Sequence, residues 1–248
     1  MSKAWRYAAA ALTLSAAVIA SPAASEVMPR AAAAGNCPVT AADTLNWGAP
    51  SRVDDFDNPD SLAGWKLYGG PGHAGNGRRV PAAATVEDGQ LTITGDPNGD
   101  SAGMSLLPGQ TLGRWEVCMA TPVGSPNYHP VLLLWPDSEV WPDDGEVDFM
   151  EIVDPTRQTV EFNLHYGPQN RQERTKVDVD ATQWHSWAVE WTPERIVGYF
   201  DGRPWFESAD PAQLPPGPMH LCIQLDNFGG DISQGGRQSV DWVREYPI

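Results

Sequence analysis

The chain has 248 residues, with 32 acidic against 16 basic side chains and a net charge of −16. That length is ample for a buried core in one large domain or two small ones. The negative field works against nucleic acid, anionic membranes and sulfated or uronic polymers, which leaves a neutral partner, no membrane association and a monomeric state as the expectations.

Lys3 and Arg6 precede an apolar run from Ala8 to Ala20, followed by small residues through Ser25. This is the layout of a secretory signal over residues 1–25, too short to span a bilayer, so the mature protein is expected to be secreted. Cleavage between Ala23 and Gly35 fits the small-residue rule, and no second long apolar run suggests an anchor. Residues 26–50 are Ala-rich without clear periodicity and read as a loosely ordered lead-in to a domain over residues 51–248. Cys37, Cys118 and Cys222 leave one disulfide plausible after export. Cys118 and Cys222 each sit in a strand-like run, and these two pairing across a sheet or lying buried as free thiols are both open.

From Arg52 onward about fourteen short segments of strand length alternate with Gly, Pro, Asn and Asp clusters. No segment has the periodicity of a three-turn amphipathic helix. The expectation is all-β, an antiparallel β-sandwich. Glu87-Asp88-Gly89-Gln90 and Asp201-Gly202 read as hairpin turns in which Gly takes a positive φ. Four longer irregular stretches, over residues 69–81, 121–130, 166–176 and 226–238, are candidates for the rim of a binding cleft. Residues 211–218 read as a crossover loop. Eleven tryptophans are many for this length, and indole faces stack on the apolar faces of sugars, although most are expected in the core.

The stretch WPDDGEVDFMEIVD, Trp141 to Asp154, poses a problem of phase. On a plain strand Glu146 and Asp148 share one face, while Glu151 points to the other, among Val147, Phe149 and Val153. An unpaired carboxylate there is costly. One extra residue at Phe149/Met150, a β-bulge, brings Glu146, Asp148 and Glu151 onto one surface and keeps Val147 and Ile152 inside. Glu146 and Glu151 are then about 13 Å apart at Cα. Leaning together over Asp148, their carboxyls can approach to about 5 Å, the separation of a retaining glycosidase. In a chain this acidic the bare pattern arises easily by chance, and a solvated acidic strand or a calcium site also fits it.

GEVDFMEI resembles the E-x-D-x-x-E signature of glycoside hydrolase family 16 in its bulged, laminarinase-like form. The resemblance extends through HPVLLLWP, Trp141-Pro142, FNLHYG, WHSWAVEWTPERIVGYFDGRPWF and VDWVREY, from about Val53 to Tyr246. It implies a concanavalin-like jelly roll with a concave substrate cleft, acting as an endo-β-glucanase that needs no cofactor for chemistry. By position Glu146 is the nucleophile, Glu151 the general acid/base and Asp148 the helper that holds Glu146, and the three acids are expected to titrate together. Trp135 and Trp141 match positions lining the cleft, His165 a position near the acid/base, and Asn227 a substrate-binding position. Asp241 matches an Asp that contributes to a structural calcium on the convex side. Three features depart from the family pattern: HPVLLLWP replaces a W-P-A-x-W segment, QLDNFGG replaces N-L-A-x-G-G, and Cys118 stands where arginine is common. A β-1,3-1,4-glucanase, a galactanase, a transglycosylase or a glucan-binding lectin-like module remain the alternatives.

Overall fold

The computed structural model describes residue 1 and residues 35–248. The expected export signal and residues 26–34 of the lead-in lie outside the described residues. No helix among the described residues is long and apolar enough to cross a membrane.

Residues 35–50 are not the loose segment expected. Thr40 caps a short helix, α1 (Ala41–Leu45), by accepting the Asp43 amide at 2.9 Å. The Ala41 and Ala42 amides donate to the buried carboxylate of Glu116 at 2.6 and 3.3 Å. Trp47 packs edge-on against Tyr199 and Tyr246. Cys37 is joined to Cys118, which settles the pairing left open by sequence, while Cys222 is free and buried. The partners of this segment lie seventy or more residues away, so local periodicity carries no trace of them.

Eighteen strands follow among the described residues, four more than expected because several pairings are only two residues long. They begin with β1 (Arg52–Asp54), β2 (Lys66–Leu67), β3 (Gly70–Pro71), β4 (Arg78–Arg79), β5 (Ala84–Glu87) and β6 (Gln90–Gly95). Next come β7 (Asp100–Ser101), β8 (Gly103–Gln110), β9 (Gly113–Ala120), β10 (Tyr128–Pro136), β11 (Glu146–Glu151) and β12 (Thr159–Tyr166). The last are β13 (Arg171–Asp178), β14 (His185–Trp191), β15 (Ile196–Phe200), β16 (Arg203–Ser208), β17 (Met219–Asn227) and β18 (Gly236–Tyr246).

Two antiparallel sheets stack into the expected sandwich. One runs β16-β15-β14-β9-β18-β6-β5 with β1 on β18, and the other runs β13-β12-β11-β10-β17-β8-β2. Alternation sends Trp115, Val117, Trp187 and Val189 from the first sheet against Leu132, Leu134, Val147, Phe149 and Leu164 from the second. Each such side chain contributes about 1.5–3 kcal/mol on burial. Both expected hairpin turns form, with Asp88 and Gly89 at φ 52° and 74° and Asp201 and Gly202 at 44° and 70°. The chain crosses between sheets after β16 through Pro211–Gln213, where the crossover was expected. One expectation fails: residues 166–176 are not an irregular loop, since β13 begins at Arg171. β13 is an edge strand that pairs only with β12; its second half falls in TKVDV, one of the expected segments, and packs Val177 on the core, while the polar run RQER before it carries no hydrophobic alternation.

The disulfide closes a loop across 81 positions, so replacing Cys37 by Ser should remove about 2–4 kcal/mol of stability. Guanidinium unfolding reads this, and reduction of the wild type should cost the same. A loss under about 0.5 kcal/mol, the level of an ordinary surface substitution, would show that the α1 contacts hold the segment without the bond.

Candidate active site

On β11 the pairing with β12 runs Glu146 to His165, Val147 to Leu164 and Asp148 to Asn163, then jumps to Glu151 opposite Glu161. The pairing with β10 slips at the same place: Leu133 faces Asp148, and Leu132 faces Met150. Phe149 is the residue without a partner on either side, as the bulge reading requires. Val147, Phe149, Met150 and Ile152 are buried in the core between the sheets. Glu146, Asp148, Glu151 and Val153 line a cleft of about 1150 Å³ on the other face.

The indole N–H of Trp141 donates to Oε2 of Glu146 at 2.7 Å. Trp135 lies beside it with ring centroids 6.4 Å apart and planes within 11°, and its own N–H donates to Glu139 at 2.9 Å. Two near-parallel indoles at one end of a groove offer flat faces to a sugar ring. Asp148, buried to 5% exposure, lies between the two glutamates on the cleft face. His165 places Nε2 3.4 Å from Oδ2 of Asp148, and its Nδ1 is 2.7 Å from Oδ1 of Asn170. Glu151 accepts from Nδ2 of Asn163 at 2.5 Å through Oε2, and its Oε1 is 3.9 Å from Nδ1 of His129.

Burial pushes the carboxyls of Glu146 and Asp148 well above the ordinary range. The Asp148 charge raises Glu146 further, against His165 and the Trp141 N–H, which favour its ionised form. The Glu151 charge likewise raises Asp148. Two neighbouring buried carboxyls then retain a proton that free carboxyls lose. That proton belongs to the Glu146–Asp148 pair, which titrates as a unit.

These features converge with three comparisons. The family model described as "Glycosyl hydrolases family 16" matches residues 80–244. The chain belongs to glycosyl hydrolase family 16. Among curated relatives, a beta-glucanase of Rhodothermus marinus is 31% identical over 153 residues, covering 53% of this chain and 52% of the relative. Endo-1,3-1,4-beta-glycanase EglC of Rhizobium meliloti is 26% identical over 230 residues, covering 83% of this chain and 47% of the relative. The chain thus spans about half the length of these two relatives. Of solved structures, the laminarinase catalytic domain of Thermotoga maritima superposes with a TM-score of 0.72 at 21% identity, covering 81% of this chain and 98% of that one. The laminarinase of Rhodothermus marinus gives 0.71 at 24% identity, covering 80% and 96%.

Within this family 16 cleft, the structure brings together Glu146, Asp148, Glu151, Trp135, Trp141 and His165. Two expectations need correction. His165 sits at the Glu146 end, cross-strand from that residue, and Asn163 and His129 neighbour Glu151 instead. Asn227 does not reach the cleft: it is buried, and its side-chain oxygen accepts the Gly229 amide at 2.8 Å. On β17 the phase that faces the cleft is Gln224 and Asp226, one position off, and Phe228 just beyond the strand continues it. Asp241 lies on β18, outside the cleft, and its Oδ2 accepts the Asn36 amide at 2.6 Å beside the disulfide.

Sequence reasoning missed His129, Asn163, Asp226 and Phe228. Two of them carried a signal. Asn163 is two residues before His165 and His129 six before Trp135, so period 2 puts each on the face already identified.

A carboxyl held protonated by the fold releases its proton only at higher pH than in the unfolded chain, so stability falls as pH rises through that interval and stays lower above it. Asp148→Asn should therefore melt about 2–4 °C or more above the wild type at pH 8, at least 1 kcal/mol for a chain of this size. The gain should shrink below about pH 4, where free carboxyls are also protonated. Equal melting temperatures at pH 8 would contradict a proton retained by the buried Glu146–Asp148 pair.

Proposed function

We propose that the protein is a secreted, retaining endo-β-glucanase that hydrolyses β-1,3 linkages of a neutral glucan, with Glu146 as nucleophile, Glu151 as acid/base and Asp148 as helper. The observation that carries this reading is the shared face of Glu146 and Glu151 on one bulged strand, with Asp148 between them. Oε2 of Glu151 is occupied by a donor, the Asn163 amide, so the transferable proton belongs on Oε1. In the first step that proton passes to the glycosidic oxygen, the anomeric C–O bond breaks, and a Glu146 oxygen bonds to the anomeric carbon. Trp141 and Asp148 hold Glu146 in place for that attack. In the second step water attacks the same carbon, its proton goes to Glu151, and the bond to Glu146 breaks, so the β configuration returns.

The β-1,3 preference draws on the laminarinases among the similar structures, and the acidic surface favours a neutral polymer. Secretion is supported by the basic and apolar start of the chain and by the Cys37–Cys118 disulfide. A mixed-linkage β-1,3-1,4-glucan is the second reading, favoured by the Rhizobium meliloti relative that aligns with 83% of this chain. A lectin-like module is disfavoured, because a pure binder has no use for two opposed buried-edge glutamates.

Glu146→Gln should abolish release of reducing ends from laminarin, by on the order of 10³-fold or more, while glucan binding persists. Proton NMR of early wild-type products should show the β-anomer first. The α-anomer first would overturn the retaining assignment, and faster cleavage of lichenan than of laminarin would favour the mixed-linkage reading.

A further inference from the structure

His129 is 7% exposed, and its Nδ1 has no hydrogen-bond partner although the atom is buried. Such an atom calls for an explanation. The nearest carboxylate oxygen, Oε1 of Glu151, is 3.9 Å away, too far for a direct bond. One oxygen atom about 2.8 Å from each would fit between them at an angle near 90°.

We propose that His129 and Glu151 together hold the water that hydrolyses the glycosyl-enzyme, and that His129 thereby favours water over a sugar as the acceptor. This rests on the assignment of Glu151 as acid/base. Neutral His129, with its proton on Nε2, presents Nδ1 as an acceptor. A water in the gap donates one proton to Oε1 of Glu151 and the other to Nδ1, which leaves an oxygen lone pair free for the anomeric carbon. On attack the new C–O bond forms, the bond to Glu146 breaks with its electron pair returning to that carboxylate, and Glu151 takes one proton. His129 gains and loses none. A sugar hydroxyl has a single proton, which it gives to Glu151, so it leaves Nδ1 unsatisfied and is disfavoured.

The ring is held for this role. His129 stacks on Phe228 with centroids 4.0 Å apart and planes at 23°, and Phe228 stacks on His73 at 4.2 Å and 22°. Nδ1 of His73 is 3.3 Å from Oδ2 of the buried Asp226, which also takes the guanidinium of Arg79. Arg79 in turn donates to the carbonyls of Ala102 and Leu225 at 3.1 and 3.0 Å. His129, Asp226 and Phe228 all lie in the two segments where this chain departs from the family pattern, and the fold brings those departures into contact.

The test uses an aryl β-laminaribioside, with and without laminaribiose as acceptor, and reads the ratio of transfer to hydrolysis products. His129→Phe keeps the stacked ring and removes both nitrogens. Its transfer-to-hydrolysis ratio should rise by about tenfold, the scale of one lost hydrogen bond. His129→Gln, whose amide oxygen can accept, should bring the ratio part of the way back. An unchanged ratio in folded His129→Phe overturns the proposal. Should that variant not fold, Phe228→Leu loosens the ring and should raise the ratio less, and no change there overturns it equally. The α-anomer appearing first among wild-type products would instead count against the retaining mechanism on which the proposal rests.

Discussion

One surplus residue in β11 governs what this sheet can do. Strict alternation allows Glu146 and Asp148 on the cleft face but sends Glu151 into the core, where an ionised carboxylate is prohibitive. Phe149, unpaired on both sides, absorbs the phase difference and fills the core with its ring. The same step that rescues Glu151 from burial carries Val153 to the cleft wall and keeps Met150 and Ile152 inside. A local insertion thus converts a sequence spacing of five into a shared surface. The neighbouring strands then dress it: β12 supplies Asn163 and His165, and β10 supplies His129 and Trp135.

The cost of that surface is electrostatic. Burial and mutual charge push Glu146 and Asp148 up, and the indole of Trp141, His165 and the shared proton offset part of it. The rest of the sandwich is rigid enough to impose the arrangement. Trp115 and Trp187 are fully buried behind the sheet, and the N-terminal segment is tied across the outer sheet by Glu116 and the disulfide. Stability held in the core and the far sheet therefore supports an unfavourable charge cluster in the cleft.

The parts legible in the sequence were those with a local periodic signal. The bulge followed from an acid appearing in the wrong phase among Val147, Phe149 and Val153, and the two hairpins followed from Asp-Gly pairs that accept positive φ. Trp135 and Trp141 were legible by their place beside the acids. Features made by distant partners were not. The helix at Ala41 depends on Glu116, and the disulfide joins Cys37 to a residue 81 positions on. Asn227 was mistaken for a cleft residue because the end of β17 sets the phase, and a one-residue error there exchanges Asn227 for Asp226. Only the first half of β13 hid, because the polar run RQER on an edge strand lacks a hydrophobic period, whereas TKVDV after it is legible as a strand.

The central claim is that the bulge places Glu146 as the residue that bonds to the sugar, with Glu151 opposite it as the proton carrier. Treatment with a 2-deoxy-2-fluoro β-laminaribiosyl reagent carrying a good leaving group slows the second step and traps that bond. Peptide mapping by mass spectrometry should then find a single glycosyl adduct, on Glu146. An adduct on Glu151 or on any other residue, or an active enzyme that no such reagent labels, would contradict it.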